Sequence, residues 1–153
     1  MNYNNNEIIK HIQSLVDLET ECWNKQNIIP FLNMIHPDMV WPFPPTDRDH
    51  DPTTWVFIMG RFNFERWKSM YDEIFSNHYL SHNIRKTLNI KVSKEEDAAL
   101  AVVDIDTLWI ENKTGKPFHW KGRVCKIYTK MTDNKWLFYS QTGALDYSFI
   151  KQE

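Results

Sequence analysis

The chain has 153 residues, a formal net charge of −2 and a sequence pI near 6.3, and its lysines are scattered along the sequence. This charge distribution offers no basic surface that could hold a phosphate backbone, so nucleic acid is not an expected partner. A chain of this length buries roughly two thirds of its unfolded surface, which is enough to stabilise a core without disulfides or metal. We therefore expect one domain spanning residues 1–153.

The first residues are polar and rich in asparagine, and no apolar run approaches the length of a membrane-spanning helix. A secretory leader would combine a basic flank with an apolar stretch, and neither is found here. Cys22 and Cys125 lie in periodic segments without CxxC spacing, so we expect buried free thiols. These features predict a cytoplasmic protein that does not insert into a membrane.

Helical periodicity marks two main segments of the chain. Apolar residues recur every three or four positions from Ile8 to Trp23, and again from Phe64 to Phe75. This spacing places the apolar side chains on one stripe of a helix. The sequence therefore predicts two amphipathic helices, each with its stripe turned towards the core.

The segment between these two helices contains a short helix, a short strand and a loop. Residues 28–35 predict the helix, and His36-Pro37-Asp38 ends it because the residue before a proline avoids helical geometry. Residues 39–43 predict the strand. The proline-rich residues 42–52 predict a long loop of the kind that often forms a lid or a binding edge.

The second half of the chain has strand periodicity. One strand is predicted to carry Ile84, Leu88, Ile90 and Val92 on one side, and three longer alternating stretches follow between Ala98 and Tyr147. Turns of sequence Asn-Lys-Thr-Gly and Thr-Asp-Asn-Lys join these three stretches, so they pair as antiparallel neighbours. Helices followed by a four-stranded antiparallel meander predict an α+β fold with the helices covering one sheet face.

The two turns also predict the strand register. Centring the first on Lys113-Thr114 and the second on Asp133-Asn134 places specific residues opposite each other. The predicted cross-strand pairs are Asp104–Arg123, Asp106–Lys121, Lys126–Gln141 and Tyr128–Tyr139.

This register gives the sheet two different faces. One combines large rings, small residues and a few polar groups, which is typical of a small-molecule pocket; it includes Thr107, Trp109, Trp120, Val124, Lys126, Tyr128, Tyr139 and Gln141. The other face carries charged residues in pairs, including Asp104, Asp106, Lys121 and Arg123. A β-bulge would shift the register by one residue and exchange the faces, so the opposite assignment stays open.

Asp104 and Asp106 occupy alternate strand positions and point to the same side. Paired carboxylates can raise the pKa of one member enough to make it a general base. Their cross-strand partners Arg123 and Lys121 would instead keep both acids ionised, and this favours structural ion pairs.

Metal and cofactor sites are not predicted. His78 and His82 have four-residue spacing, but they straddle the end of a helix and the start of a strand, and no third ligand accompanies them. The chain has four glycines and none of the glycine-rich strings that bind nucleotides or place a nucleophilic serine.

The order of elements and the string GRVCKIYTKMTDNKWLFYSQTGALDY, residues 122–147, resemble the SnoaL-like branch of the nuclear transport factor 2-like superfamily. The helix ending at Cys22-Trp23, the break His36-Pro37-Asp38 leading into Val40-Trp41, and the turn at Lys135-Trp136 carry the resemblance further. It covers nearly the whole chain.

The resemblance implies a cone-shaped α+β barrel in which N-terminal helices pack on a curved antiparallel sheet of four to six strands. A cavity lies between helices and sheet in such folds, and a homodimer forms through the outer sheet face. Members of the superfamily include polyketide cyclases, ketosteroid isomerase, scytalone dehydratase and non-catalytic association domains.

Three functions agree with these observations. The first is binding of a small apolar molecule with one or two polar handles, in a pocket lined by Trp23, Trp41, Tyr71, Thr107, Trp120, Lys126, Tyr139 and Gln141. The second is a proton-transfer enzyme, an isomerase, cyclase or dehydratase, whose candidate catalytic residues are Asp106, Asp104, Arg123 and His82. The third is a non-catalytic, dimeric association module that uses the charged sheet face.

Overall fold

The computed structural model describes residues 3–45 and 51–147. Within these ranges the helices are α1 (Tyr3–Asn24), α2 (Ile29–Leu32) and α3 (Phe64–Asn77), with a 3₁₀ turn at Pro52–Thr54. The strands are β1 (Ile35–Val40), β2 (His78–Val92), β3 (Ala98–Glu111), β4 (Pro117–Lys130) and β5 (Trp136–Tyr147). Part of the predicted loop at residues 42–52 lies outside the described residues. Among the described residues, none of the helices combines the length and apolar character that a membrane span requires.

The five strands form one open sheet in the order β1-β5-β4-β3-β2. The expected antiparallel meander of β2 to β5 is confirmed, but β1 runs parallel to β5 and makes the sheet mixed. The short strand begins earlier than predicted, so Pro37 lies inside β1 instead of ahead of it. An edge strand accepts this proline because one side of its backbone needs no partner in the ladder.

The predicted register holds across β3 and β4 and fails within β5. Asp104 lies opposite Arg123, and Lys126 lies opposite Gln141, as expected. Tyr128 is paired with Phe138, because a bulge beside Ile127 and Tyr128 inserts one extra residue into β5. The expected Tyr128–Tyr139 pair is therefore wrong, and Tyr139 is 44% exposed instead of facing the core.

Two irregularities in β2 also change which side chains face the core. The register shifts between Leu80 and His82 and again between Thr87 and Asn89. Ile84, predicted to share a face with Ile90, is consequently 61% exposed. A bulge reverses the alternation of the residues beyond it, so periodicity alone assigns such a strand incorrectly.

The helices cover the aromatic face of the sheet, and we call this the inner face; it includes Val103, Thr107, Trp109, Val124, Lys126, Tyr128 and Gln141, all buried. The opposite, outer face carries Asp104, Asp106, Lys121 and Arg123. The buried stripe of α1 lies against the inner face through Ile12, Val16 and Trp23. The predicted assignment of the two faces is thus confirmed for β3 and β4.

Candidate functional site

The inner face contains a buried polar network centred on Lys126. Its ammonium donates hydrogen bonds to Oε2 of Glu19 (2.7 Å) and Oε1 of Gln141 (2.6 Å). The guanidinium of Arg85 donates from Nη1 to Oε1 of the same Glu19 (2.8 Å). The side chains of the three charged residues are at most 3% exposed.

Four elements bring this network together. Glu19 lies on the buried stripe of α1, one turn before Trp23, whose indole Nε1–H lies 3.4 Å from Oε1 of Glu19. Arg85 reaches the inner face from β2, opposite Ile105. Lys126 and Gln141 are directly paired on β4 and β5. The network therefore depends on helix, sheet centre and sheet edge being packed correctly.

The network holds two cations and one carboxylate. Burial by itself would raise the pKa of Glu19, but the neighbouring Lys126 and Arg85 lower that pKa to about 2. Burial, opposed by Glu19, lowers the pKa of Lys126 to about 8. Glu19 is thus ionised at neutral pH, and the buried group carries an excess positive charge that an incoming anion or carbonyl oxygen would offset.

Aromatic rings surround Trp23 beside this network. Its ring centroid lies 4.8 Å from that of Tyr71 and 5.3 Å from that of Trp120, both in edge-to-face geometry. Trp109 follows at 6.3 Å, and the guanidinium carbon of Arg85 lies 5.6 Å from the Trp23 centroid. The charged and aromatic parts of the interior are therefore continuous.

Several polar atoms of the interior have no hydrogen-bond partner among the described residues. They are the hydroxyl of Tyr128 and the indole Nε1–H groups of Trp67 and Trp109. Burial raises the pKa of the Tyr128 hydroxyl well above its ordinary value, so it stays protonated and can donate. Buried polar groups almost always have partners, and these three atoms are consequently candidates for contact with a ligand or ordered water.

The lowered pKa of Lys126 predicts that the free energy of unfolding increases with pH above neutrality. Between pH 8 and its ordinary pKa of 10.5, folded Lys126 has released its proton while the unfolded chain retains it. Raising the pH then favours the folded chain. We expect the free energy of unfolding, measured with urea, to increase from about pH 7.5 to about pH 9.5. Lys126→Met should abolish the increase. If the free energy of unfolding of this variant rises with pH as steeply as that of the parent chain, deprotonation of Lys126 is not the cause.

The outer face carries a second cluster, centred on Asp106. Nε2 of His82 and Nε2 of His119 lie 2.6 and 2.7 Å from its Oδ1, and Nζ of Lys121 lies 3.6 Å from its Oδ2. The hydrogen bonds from His119 and His82 lower the pKa of Asp106 to about 2. The carboxylate therefore has no proton at neutral pH, and each imidazole donates its Nε2–H to it.

Asp104 is adjacent on the same face and has a different partner. Arg123 donates from Nε to Oδ1 (2.7 Å) and from Nη2 to Oδ2 (3.0 Å), and these bonds lower the pKa of Asp104. Both carboxylates border an open groove of about 500 Å³ that also includes Ile84 and Lys86. The structure thus separates the four candidate catalytic residues, all on the outer face, from the aromatic interior.

No sequence-family model matches the chain, and no curated protein matches it. Solved structures do: a nuclear transport factor 2-like superfamily protein from Salmonella enterica serovar Typhimurium LT2 has a TM-score of 0.65 at 14% identity, covering 92% of both chains. A ketosteroid isomerase-like protein from Erwinia carotovora atroseptica SCRI1043 has a TM-score of 0.63 at 12% identity, covering 88% of this chain and 92% of that one. A type 2 hexachlorocyclohexane dehydrochlorinase has a TM-score of 0.61 at 14% identity, covering 89% and 83%.

The fold is the nuclear transport factor 2-like fold. The predicted α+β arrangement of N-terminal helices on a curved sheet is confirmed, with five strands and with the mixed, unclosed sheet described above.

The nuclear transport factor 2-like arrangement brings most of the predicted ligand-binding residues to the interior. Six are buried: Trp23, Trp41, Tyr71, Thr107, Lys126 and Gln141. Trp120 is partly buried against them, and the bulge in β5 turns Tyr139 away. Thr107 is linked to the buried network through Asn83, because its hydroxyl donates to Oδ1 of Asn83 (2.7 Å) and Nε of Arg85 donates to the same oxygen (3.2 Å).

Sequence reasoning missed Glu19 and Arg85 in the nuclear transport factor 2-like interior. Glu19 interrupts the apolar stripe of its helix four residues before Trp23, and a charged residue at such a position signals a buried partner. Arg85 gave no comparable signal, because the irregularities of β2 decide which of its residues face inward.

Proposed function

We propose that this protein binds a small organic molecule in the interior between α1 and the inner sheet face. The observation that carries the proposal is the buried group of Glu19, Arg85 and Lys126, which has two cations for one carboxylate. A ligand oxygen with partial or full negative charge would offset the excess charge. The ligand class is therefore an apolar, aromatic-sized body with one acidic or carbonyl handle.

Two further features support this ligand class. The unpartnered hydroxyl of Tyr128, which lies close enough to Glu19 and Arg85 for their charges to affect its pKa, could donate to the polar handle. The rings of Trp23, Tyr71 and Trp120 supply an apolar wall on which a flat body could pack. The proposed lining residues are Trp23, Trp41, Tyr71, Thr107, Trp120, Lys126 and Gln141.

Fold neighbours add general support. Among the similar structures, one is named as ketosteroid isomerase-like and another as a hexachlorocyclohexane dehydrochlorinase, both names that refer to small, largely apolar compounds. Identities of 12% and 14% carry the fold and not the substrate. The chemistry proposed for this chain therefore rests on its own buried residues.

Proton transfer by Asp106 or Asp104 receives less support. Both carboxylates lie on the outer face, and their hydrogen bonds to histidine or arginine lower their pKa values. A general base at neutral pH needs a pKa raised towards 7, so these acids are not poised for that role.

Homodimerisation stays a prediction, and the outer face is the surface that supports it. Ile84 and Tyr79 are more than half exposed, and the neighbouring charges are acidic on β3 and basic on β2 and β4, so their sign alternates across the strands. Such a surface could pair with a second copy of itself.

Binding can be tested with 1-anilinonaphthalene-8-sulfonate, an aromatic anion, and with neutral N-phenyl-1-naphthylamine, which has a similar body. We expect the anion to bind and quench tryptophan fluorescence, and Lys126→Met to weaken its binding by about 10- to 100-fold, as for loss of a charge-assisted hydrogen bond. Binding of the neutral compound should change little. Trp120→Ala should weaken the binding of both compounds, because it removes part of the apolar wall.

Ile84→Ser is the matched control for dye adsorbed on the outer face. It should leave both affinities unchanged. If Ile84→Ser weakens binding while Lys126→Met and Trp120→Ala do not, the dye is bound outside and the proposed interior site is wrong.

A further inference from the structure

We propose that His82, Asp106 and His119 form a binding site for a divalent transition metal, Zn²⁺ being the ion that suits the donor set. The site lies on the outer face, away from the buried network. It is independent of the proposed interior ligand.

Three neighbouring strands build the site. His82 on β2 and His119 on β4 both lie opposite Leu108, one on each side of β3. Asp106 is two residues from Leu108 on β3, so it occupies the diagonal position next to both histidines on the same face. The bulge between Leu80 and His82 creates this arrangement, because regular alternation would have placed His82 beside Leu80 on the inner face.

The three ligand atoms converge on one point. Nε2 of His82 and Nε2 of His119 both lie within 2.7 Å of Oδ1 of Asp106, and all three atoms lie within 4.8 Å of one another. Two N–H protons now occupy the space between the imidazoles and the carboxylate. A metal ion would replace them once each imidazole carries its proton on Nδ1 instead. Zinc bonds of about 2.0–2.1 Å place neighbouring ligand atoms about 3.3 Å apart. Each nitrogen therefore needs to move about 0.6 Å away from Oδ1, and the two nitrogens, which lie within 4.8 Å of each other, need to approach by up to about 1.5 Å.

The donor set and its exposure indicate the kind of ion. Two imidazole nitrogens and one carboxylate oxygen suit Zn²⁺ and related borderline ions, whereas Ca²⁺ and Mg²⁺ prefer oxygen alone. The side chains are 35% exposed for His82, 34% for His119 and 30% for Asp106. A bound ion would thus reach solvent and keep at least one coordination position for water.

Neighbouring charges leave the proposed site accessible. Lys121 lies nearer Oδ2 of Asp106, its Nζ at 3.6 Å, so Oδ1 is the oxygen turned to the histidines. The Lys121 side chain is 59% exposed and can move into water when a cation binds. Asp104 and Arg123 neutralise each other on the adjacent pair of positions.

This proposal replaces the expectation that no metal is bound. That expectation weighed His82 only with His78, whose Nδ1 lies 3.0 Å from the carbonyl oxygen of Ile74 at the end of α3. The two further ligands come from β3 and β4, 24 and 37 residues along the chain, and only strand pairing brings them near His82.

Metal binding can be measured on the full chain by Co²⁺ absorption and by Zn²⁺ competition against a chromogenic chelator. We expect one ion per chain, and His82→Gln and His119→Gln should each weaken Zn²⁺ binding by at least about tenfold. Asp106→Asn should also weaken Zn²⁺ binding. Two controls should bind as the parent chain does: His11→Gln, which removes an exposed histidine elsewhere, and Asp104→Asn, which removes the adjacent carboxylate. Absence of stoichiometric binding, or equal losses in the controls, would overturn the proposal.

A second measurement needs no variant, so misfolding cannot obscure it. Diethyl pyrocarbonate modifies accessible imidazoles, and mass spectrometry locates the modified residues. Zn²⁺ should slow the modification of His82 and His119 at least severalfold while His11 reacts at an unchanged rate. If Zn²⁺ leaves the modification rates of His82 and His119 unchanged, as it should leave that of His11, the proposed site is wrong.

Discussion

Replacing Glu19 by glutamine is expected to lower the free energy of unfolding by about 3–5 kcal/mol, the typical loss when one partner is removed from a buried ion pair. Glu19 is the only carboxylate among the described residues that contacts Lys126 and Arg85, and all three side chains are buried. Glutamine keeps the shape of the side chain but leaves two cations without a counter-charge. Urea denaturation followed by circular dichroism would measure the loss.

Lys126→Met is the matched control for the Glu19 prediction. It removes one cation and leaves Glu19 and Arg85 as a balanced pair, so stability should stay the same or increase. In the double variant, Lys126→Met should add more stability than it adds to the parent chain, because only one uncompensated cation then remains. If the two effects simply add, the charge imbalance is not the cause and the interior network has been misinterpreted.

Gly143→Ala is expected to lower the free energy of unfolding by about 2–6 kcal/mol, combining overpacking with backbone strain. Gly143 lies opposite Val124 in the β4–β5 ladder and has a φ of +152°. A Cβ atom there would lie 2.4 Å from the carbonyl oxygen of Arg123 and 2.7 Å from Cα of Val124. Because both neighbours are backbone atoms, relief would require the two strands to separate beside Gln141.

Gly115→Ala distinguishes the effect of backbone strain from the effect of overpacking. Gly115 is in the turn between β3 and β4 with a φ of +71°, and an added Cβ would meet no atom within 4 Å. This variant should lose only about 1–2 kcal/mol from backbone strain. Thermal or urea denaturation of both variants would measure the difference, and equal losses would mean that the close approach of Gly143 to β4 does not limit stability.

Prediction succeeded where the structure depends on short-range information. The turn centred on Lys113-Thr114 joins two strands directly, so counting outward from it correctly pairs Asp104 with Arg123. The alternation of β3 also identifies its buried face, because every second residue from Ala99 to Trp109 is buried. Local turn geometry and a two-residue period are sufficient for both results.

Prediction failed where one residue alters the alternation. The bulge in β5 turns Tyr139 outward, and the irregularities of β2 place Arg85 inside and His82 outside. A bulge responds to the curvature that the whole sheet needs in order to pack on its helices. The residues at these bulges give no sequence signal of them, so the predicted pocket lining included Tyr139, which is exposed, and did not include Arg85, which is buried.

The sequence by itself determined the succession of helices and strands, the β3–β4 register and the separation of an aromatic face from a charged one. These features follow from periodicity and turn chemistry, which act over a few residues. Only the tertiary structure decided that Lys126 meets Glu19, 107 residues away, and that His82, Asp106 and His119 meet on three strands. Such meetings depend on bulges, on sheet curvature and on the packing of α1, which are set by the free energy of the whole fold.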